Sequence, residues 1–595
     1  MIPLDVLNAL PAADFVAALS GIFEHSPWVA ERVVAERPFR SRIHLHHAMN
    51  EAVLQAGRDA QLALIRAHPE LAGRSAARGE LTASSTREQK GAGLADCNAE
   101  QLTRIRALNA EYAQRFGFPF VLAVKGHNTA SIIAELERRV RNEAEAERSV
   151  ALTQIGRIAG FRLADLVDER SGAQIMAMAE ELAHFSEQEN ALTCSYLTPA
   201  HRQTAAQIRE WMLAAGLETE IDAVGNVTGR WRALPPAARD DTPGIAGRSS
   251  DAVPRSRTLM TGSHYDTVVN AGRYDGRLGI LLPVVVAARL RREGRQLPFD
   301  LEIVAFAEEE GVRFKSTFLG SAAVAGRFDM AVLESTDAQG ISVREAIIGA
   351  GLDPSHIPAA ARDPRQLLGF IEVHIEQGPV LLIENTPLGV VTSIAGSTRA
   401  VVTITGTAGH AGTVPMHLRQ DAAAAAAEIV LAVESRCSGT PGLVGTVGRL
   451  NVPDGAINVI PGRCELSIDI RSGDDPVRRA AFAEVTARSE QIAARRKVML
   501  NIRKVLEIDA VPCDGQMQQR WADSIRRVTG RPAIHLPSGA GHDAMMMASM
   551  TPMGMLFVRC GNGGISHNPA ESMTESDAEL AAQAFSDFLM SFAPT

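Results

Sequence analysis

The sequence predicts a multidomain protein, all-α in its first part and α/β in its second. Three observations carry this. At 595 residues the chain exceeds what one hydrophobic core supports, so roughly two to four domains are expected. Residues 1–168 repeat apolar residues at three- and four-residue spacing with hardly a strand-like run. From residue 173, apolar runs of strand length alternate with helical patterns, as in an α/β protein with a mostly parallel sheet.

The elements follow in order. "DFVAALSGIFE", "SRIHLHHAMNEAVLQA", "RDAQLALIRAH", "AEQLTRIRALNAEYAQRFG" and the long run from "TASIIAEL" to "LADLV" read as helices. Asp14 and Thr129 are the expected N-caps, and "PFVLAV" is the one short strand candidate. "LVDERSGAQ", near residues 166 to 174, reads as the linker. Two helices, "AQIMAMAEELAHF" and "PAHRQTAAQIREWMLAAG", then precede strand runs such as "TLMTGSH", "LEIVAFAEE", "VVTITGTA" and "CELSIDIRS". Residues 234–257, rich in Pro, Ser, Arg and Asp, read as an exposed loop.

Composition narrows the class. Hydrophobic residues at 46% and charged residues at 22% suit a soluble globular protein. A formal net charge of −9 argues against nucleic-acid or acidic-membrane partners. The six cysteines are scattered without a CxxC pair, which suggests reduced thiols in the cytoplasm. No signal peptide is expected, and no run of about 18 apolar residues suggests a membrane span.

"IVAFAEEEGVRF" places Glu308, Glu309 and Glu310 directly after an apolar strand, with no basic residue among them. Adjacent carboxylates raise one another's pKa. A solvated charge run or a bound cation could each account for them. His264, Asp266 and Asp275 end or follow "TLMTGSH", His374 lies in "GFIEVHIEQGPVL", and His567 lies in "GGISHNPAES". Imidazoles and carboxylates are the usual ligands of Zn²⁺ and related cations. Ligands on strand ends and following loops converge at the carboxyl edge of a parallel sheet. One His-x-Asp is weak; five such motifs, each on a strand or Gly-rich turn, favour a metal site.

"GSHYDTV", "GRYDG", "AEEEGVRF", "HIEQGPVL", "GTAGHAGTVPM", "INVIPG", "DIRS", "SGAGHDA" and "SHNPAE" together resemble the di-zinc amidohydrolases of N-carbamoyl amino acids, β-ureidopropionate and allantoate. The resemblance implies a catalytic domain over residues 173–389 and 509–595, interrupted by a lid and dimerisation domain over 390–508. It implies two divalent metal ions, Zn or Mn. His264 and His374 would each bind one metal, Asp275 would bridge, Glu310 would ligate, and His567 would complete the second site. Asp266 becomes the carboxylate that orients a ligand histidine, and Glu309 is left as general base. His410 matches the oxyanion-stabilising histidine that serves the neighbouring subunit of a homodimer. Gln377, Asn458 and Arg471 match substrate-binding positions; a strand-end salt bridge is the plainer reading of Arg471.

In the first part, "GIFEHSPWVAERVVAERPF", "LIRAHPELAG", "LTASSTREQKGAGL" and "FGFPFVLAVKG" resemble the decarboxylase of 2-oxo-4-hydroxy-4-carboxy-5-ureidoimidazoline (OHCU). The resemblance implies an all-α domain over 1–168 without metal or organic cofactor. His68 matches the catalytic histidine, with Glu88 beside it, and Ser85, Gln89 and Arg162 match substrate contacts. A neutral imidazole can manage a hydroxyl proton, and a guanidinium can anchor a carbonyl or carboxylate. OHCU decarboxylation yields (S)-allantoin, and allantoate lies on the same route. The expected function is therefore OHCU decarboxylase plus allantoate amidohydrolase, with small ureides as partners. A second part specific for N-carbamoyl-L-amino acids or β-ureidopropionate is the alternative.

Overall fold

A computed structural model describes residues 1–39, 41–71, 97–125, 127–233 and 257–593. The expected Ser85, Glu88 and Gln89, and nearly all of the 234–257 loop, lie outside the described residues. Among the described residues no helix is long and apolar enough to cross a membrane. All six cysteines are free thiols.

The first part is built from helices α1 (Leu4–Ala9), α2 (Ala12–Leu19), α3 (Trp28–Val33), α4 (Arg42–Leu54), α5 (Arg58–Ala67), α6 (Ala99–Phe116), α7 (Thr129–Arg139) and α8 (Ala144–Leu166). Their apolar stripes meet in one core that includes Phe15, Phe23, Leu45, Ile65, Tyr112, Leu136 and Leu163. Two local expectations differ. Asp14 sits in the first turn of α2 without capping it, and α7 is capped by Asn128, which accepts from Ser131 N. "PFVLAV" is buried but joins no ladder; its backbone pairs with side chains instead, Arg139 donating to Val121 O and Gln154 accepting from Ala123 N. That arrangement satisfies buried backbone groups without a neighbouring strand.

The junction is tighter than its polar sequence suggests. Strand β1 (Ile2–Pro3) pairs in parallel with β2 (Val167–Asp168), and helix α9 (Ser171–Ala183) starts three residues later. Ser171 is buried, and Gly172 N donates to Glu579 Oε2 at 2.8 Å. A Cβ on Gly172 would lie 2.3 Å from the Glu575 carbonyl, so only glycine allows this approach.

The second part continues with α10 (Pro199–Ala214), β3 (Glu218–Ile221), β4 (Val227–Trp231), β5 (Thr258–His264), α11 (Leu278–Arg292), β6 (Asp300–Phe306), β7 (Leu367–Ile375) and β8 (Leu388–Ile394). These strands join β16 (Val511–Pro512), β17 (Ile534–Ser538) and β18 (Met553–Val558) in one nine-stranded sheet. The sheet is mixed rather than mostly parallel. Its centre, β18-β7-β5-β6, runs parallel, with β8 and β4 antiparallel on either side, and β17 pairs in parallel with β8 at one edge. Every residue of β6 and β7 is buried, including Asp300, Glu302, Glu372 and His374, so their apolar residues do not alternate with exposed ones.

A second sheet interrupts the first. It contains β9 (Gly396–Thr405), β11 (Leu443–Thr446), β12 (Leu450–Asn451), β14 (Arg463–Ser472) and β15 (Met499–Ile508), all antiparallel. Because β8 still belongs to the large sheet, the chain leaves that sheet a few residues beyond 390. Burial in β14 alternates residue by residue. The inward side chains pack under helices α12 (Ala422–Ser438) and α13 (Asp475–Arg496). A short pair, β10 (Gly409–His410) with β13 (Val459–Ile460), projects from this unit.

Candidate active sites in the two parts

The carboxyl ends of β5, β6 and β7 face one point. β5 delivers His264 as its last residue, β7 delivers His374, and Glu308–Glu310 follow β6 directly. The loop after β5 returns Asp275 beneath them. Gly276 has φ 65°, and a Cβ there would lie 2.5 Å from the His264 ring, so glycine is required where the loop closes. Glu571 Oε1 accepts from Tyr274 N at 2.8 Å and pins that loop. Sequence reasoning missed Glu571, because the contact joins residues 297 positions apart.

Asp275 is the hub. Its Oδ1 lies 3.3 Å from His374 Nε2, and its Oδ2 lies 3.0 Å from His567 Nε2. His567 Nε2 is also 3.4 Å from Glu310. The donor atoms of His264, Asp275 and His374 all lie within 4.8 Å of one another, as do those of Asp275, Glu310 and His567. The geometry thus gathers His264 and His374 into one group that shares Asp275 with the second. Two further groups lie within the same distance: His264 with Glu309 and Glu310, and Glu372 with His374 and His542, the latter not anticipated. The expectation that His264 and His374 each bind a separate metal is compatible with the group of His264, Glu309 and Glu310, which excludes His374. Gln377 donates to Asp275 Oδ1 at 2.9 Å.

Asp266 accepts from Glu309 N and Glu310 N at 3.1 and 3.2 Å and lies 3.4 Å from His264 Nδ1. It therefore holds the glutamate run and one histidine together. Burial pushes the carboxyls of Glu308 and Glu309 well above the usual range, and Glu310 up to about 7. Among the described residues no lysine or arginine makes an ion pair with Asp266, Asp275 or these three glutamates. A concentrated set of buried oxygen and imidazole donors without basic counter-charges suits divalent cations.

The remaining expected residues sit apart from this cluster. His410 is exposed on the projecting pair, its Nδ1 accepting from Gly412 N at 3.0 Å. Asn458 is exposed nearby, and its carbonyl accepts from Ala411 N. Arg471 on β14 donates to Asp469 at 2.9 Å and to Gly539 O at 2.7 Å, so it ties the second sheet to the first. The salt bridge that was its plainer reading is present.

In the helical part, His68 caps the C-terminal end of α5 and is buried. Its Nδ1 pairs with Leu64 O at 3.0 Å, which leaves Nε2 as the acceptor. Burial pushes the imidazole down to about 4, so it is neutral at pH 7. Buried Arg162, near the C-terminal end of α8, forms an ion pair with buried Glu24 at 2.8 Å. The charges of both act on His68. Glu24 lies in the quoted "GIFEHSPW" but carried no assignment; its contact with Arg162 appears only in three dimensions.

Comparison with known proteins matches this division. Residues 8–164 match the OHCU decarboxylase family, and residues 250–591 match peptidase family M20/M25/M40. Allantoate deiminase of Arabidopsis thaliana is 39% identical over 448 residues, covering 70% of this chain and 82% of that protein. N-carbamoyl-L-amino acid amidohydrolase of Geobacillus stearothermophilus is 38% identical over 413 residues, covering 69% and 96%. The crystal structure of an amidase of the hydantoinase/carbamoylase family from Burkholderia multivorans superposes with TM-score 0.63 at 30% identity, covering 71% of this chain and 98% of that one. With a matched segment longer than half the chain and relatives this similar, the chain belongs to peptidase family M20/M25/M40, preceded by an OHCU decarboxylase domain.

Proposed function

We propose that the chain is a bifunctional enzyme of urate and allantoin breakdown. Its first domain, residues 1–168, decarboxylates OHCU to (S)-allantoin and CO2. Its second, residues 173–389 and 509–595, hydrolyses allantoate to ureidoglycine, ammonia and CO2, under a lid formed by 390–508. The observation that carries this reading is the pairing, on one chain, of an OHCU decarboxylase match with a relative named allantoate deiminase.

In the second domain, two divalent cations (Zn or Mn), held by His264, Asp275 and His374 and by Asp275, Glu310 and His567, would lower the pKa of a water and polarise a ureido carbonyl. Glu309, whose carboxylate also lies near His264 and Glu310, takes the water's proton and passes it to the leaving nitrogen. Asp266 fixes the backbone of Glu309 and the ring of His264, which supports that role. Gln377, Asn458 and Arg471 bind substrate, Arg471 after exchanging its Asp469 partner for a substrate carboxylate. His410 donates to the developing oxyanion in a second copy's site. Exposed Met416, Leu418 and Ile457 around the projecting pair support a homodimer through the lid.

In the first domain, neutral His68 handles the hydroxyl proton beside the scissile carboxylate. Arg162, held by Glu24, anchors a ring carbonyl or carboxylate. Glu88, Ser85 and Gln89 complete the contacts, and the domain uses no metal or organic cofactor.

The test is ammonia release from allantoate against N-carbamoyl-L-amino acids and β-ureidopropionate, with CO2 release from OHCU measured on the same preparation. The 38% identity to an N-carbamoyl-L-amino acid amidohydrolase favours the second reading, in which those compounds are the better substrates. Faster turnover of any of them than of allantoate would decide for it.

A further inference from the structure

A cavity of about 410 Å³ lies where the two parts meet. Helices α4 and α8 form its walls on one side, and α9 and α10 form them on the other. It is separate from the His68 and Asp275 clusters, and neither half could enclose it alone. Its lining is mostly apolar, with Phe161 contributed by the first part and Trp211 by the second.

The polar groups on its wall are built in. Gly156 and Gly160, one turn apart on α8, make room for His46 and Asn50, one turn apart on α4. A Cβ on Gly156 would lie 3.0 Å from Asn50 Oδ1, and one on Gly160 would lie 3.2 Å from the His46 ring. His46 Nε2 rests 2.8 Å from the Gly156 carbonyl and 3.1 Å from the Asn50 amide. With its proton on Nε2, the ring keeps Nδ1 as an acceptor that has no partner among the described residues. Across the cavity, Arg157 donates two hydrogen bonds to Glu210, at 2.8 and 2.7 Å, and so closes the seam between the parts. The lining holds two arginines and two glutamates, which makes it formally neutral.

We infer that this inter-domain cavity is a non-catalytic binding site for an uncharged cyclic ureide. Such a ring has flat apolar faces for Phe161 and Trp211, an N–H for His46 Nδ1, and a carbonyl for the Asn50 amide. The volume falls in the range of small-ligand sites, which favour domain interfaces. The choice of ureide rests on the proposed function: OHCU and allantoate are carboxylates, and only the decarboxylation product is uncharged. A neutral, largely apolar cavity penalises the two anions and admits that product.

The test is calorimetric titration of the full chain with (S)-allantoin, before and after chelation. One site per chain that the cavity variants remove is expected in both states, beside any binding at the product's own His68 site. His46→Leu should weaken it at least about tenfold, the cost of one lost buried hydrogen bond. Gln207→Trp, which adds a side chain at the cavity wall without removing core packing, should abolish it while both activities persist. Allantoate should bind the chelated protein at least about tenfold more weakly. The inference fails if no saturable heat appears by about 10 mM. It also fails if both folded variants bind as the wild type does. Decarboxylation and hydrolysis assays on the same preparation separate the two readings. Binding without either activity overturns the functional reading and leaves the cavity; both activities without binding overturn the cavity alone.

Discussion

The two candidate sites are assembled in opposite ways. In the second part, the cluster is strung along the chain from His264 to His567, each member at a strand end or in the turn that follows. In the first part, the described members are a helix cap, His68, a residue near a helix end, Arg162, and a loop carboxylate, Glu24. A parallel sheet sends its strand ends to one edge, so a polar residue after a buried apolar run already has a direction. A helical bundle has no such edge. Its site residues look like other buried polar positions until the helices are packed. The site in the second part is thus a dense anionic cage, and the one in the first part is one neutral imidazole beside one ion pair.

The sharpest way to break that contrast is to remove cations. Chelation should lower ureide hydrolysis by about 10³-fold or more, and decarboxylation on the same sample should be unchanged. Loss of both activities, with circular dichroism intact, would put a cation in the helical site as well. Glu309→Gln should cost as much as chelation while metal content stays near normal, whereas Glu310→Gln should lose metal. Elemental analysis of the two variants reads this directly, and the reverse pattern would swap their roles.

The reciprocal experiment is His68→Gln. Decarboxylation should fall by roughly 10²–10⁴-fold, the usual value of one positioned proton-transfer group, and allantoate hydrolysis should not change. His410→Ala is next. It should lower hydrolysis by roughly 10²–10³-fold, the cost of one lost oxyanion donor, with metal content retained. Mixing His410→Ala with Glu309→Gln chains should restore activity, because a mixed dimer holds one site with both groups intact. No recovery on mixing would confine each site to its own chain.

How much of this the sequence carried follows from the same contrast. The residues proposed as metal donors, with Asp266 and Glu309, could be singled out because most sit beside an apolar strand or a Gly-rich turn. What stayed hidden was long-range. Glu571 reaches Tyr274 across 297 positions, and Arg471 meets Gly539, just past β17 of the other sheet. Glu24 could be quoted in a motif but not paired with Arg162, 138 positions on, without the packed helices. The pairing of His264 with His374 in one donor group depends on strand order, which spacing does not encode. The junction misled for a different reason: a short polar stretch reads as slack, yet Gly172 lets a helix approach that no Cβ would permit.

The smallest effect expected is on stability, and it follows from the neutral imidazole. Burial pushes His68 from 6.5 down to about 4. The unfolded chain therefore takes up this proton near pH 6.5, and the folded chain only near pH 4. Below 6.5 the unfolded state binds more protons, so the stability owed to neutral His68 is complete above that pH and drains away as the pH falls toward 4. The full loss is roughly 3 kcal/mol. His46, also lowered by burial, adds in the same direction. Native-state hydrogen exchange of the buried amides of α5 and α8 at pH 7 and pH 5 measures this locally. Protection should fall with pH in the wild type and more shallowly in His68→Asn, whose side chain does not titrate. An equal slope in the two proteins would mean that His68 takes up its proton as readily folded as unfolded, and the burial-enforced neutrality on which its assignment rests would fall with it.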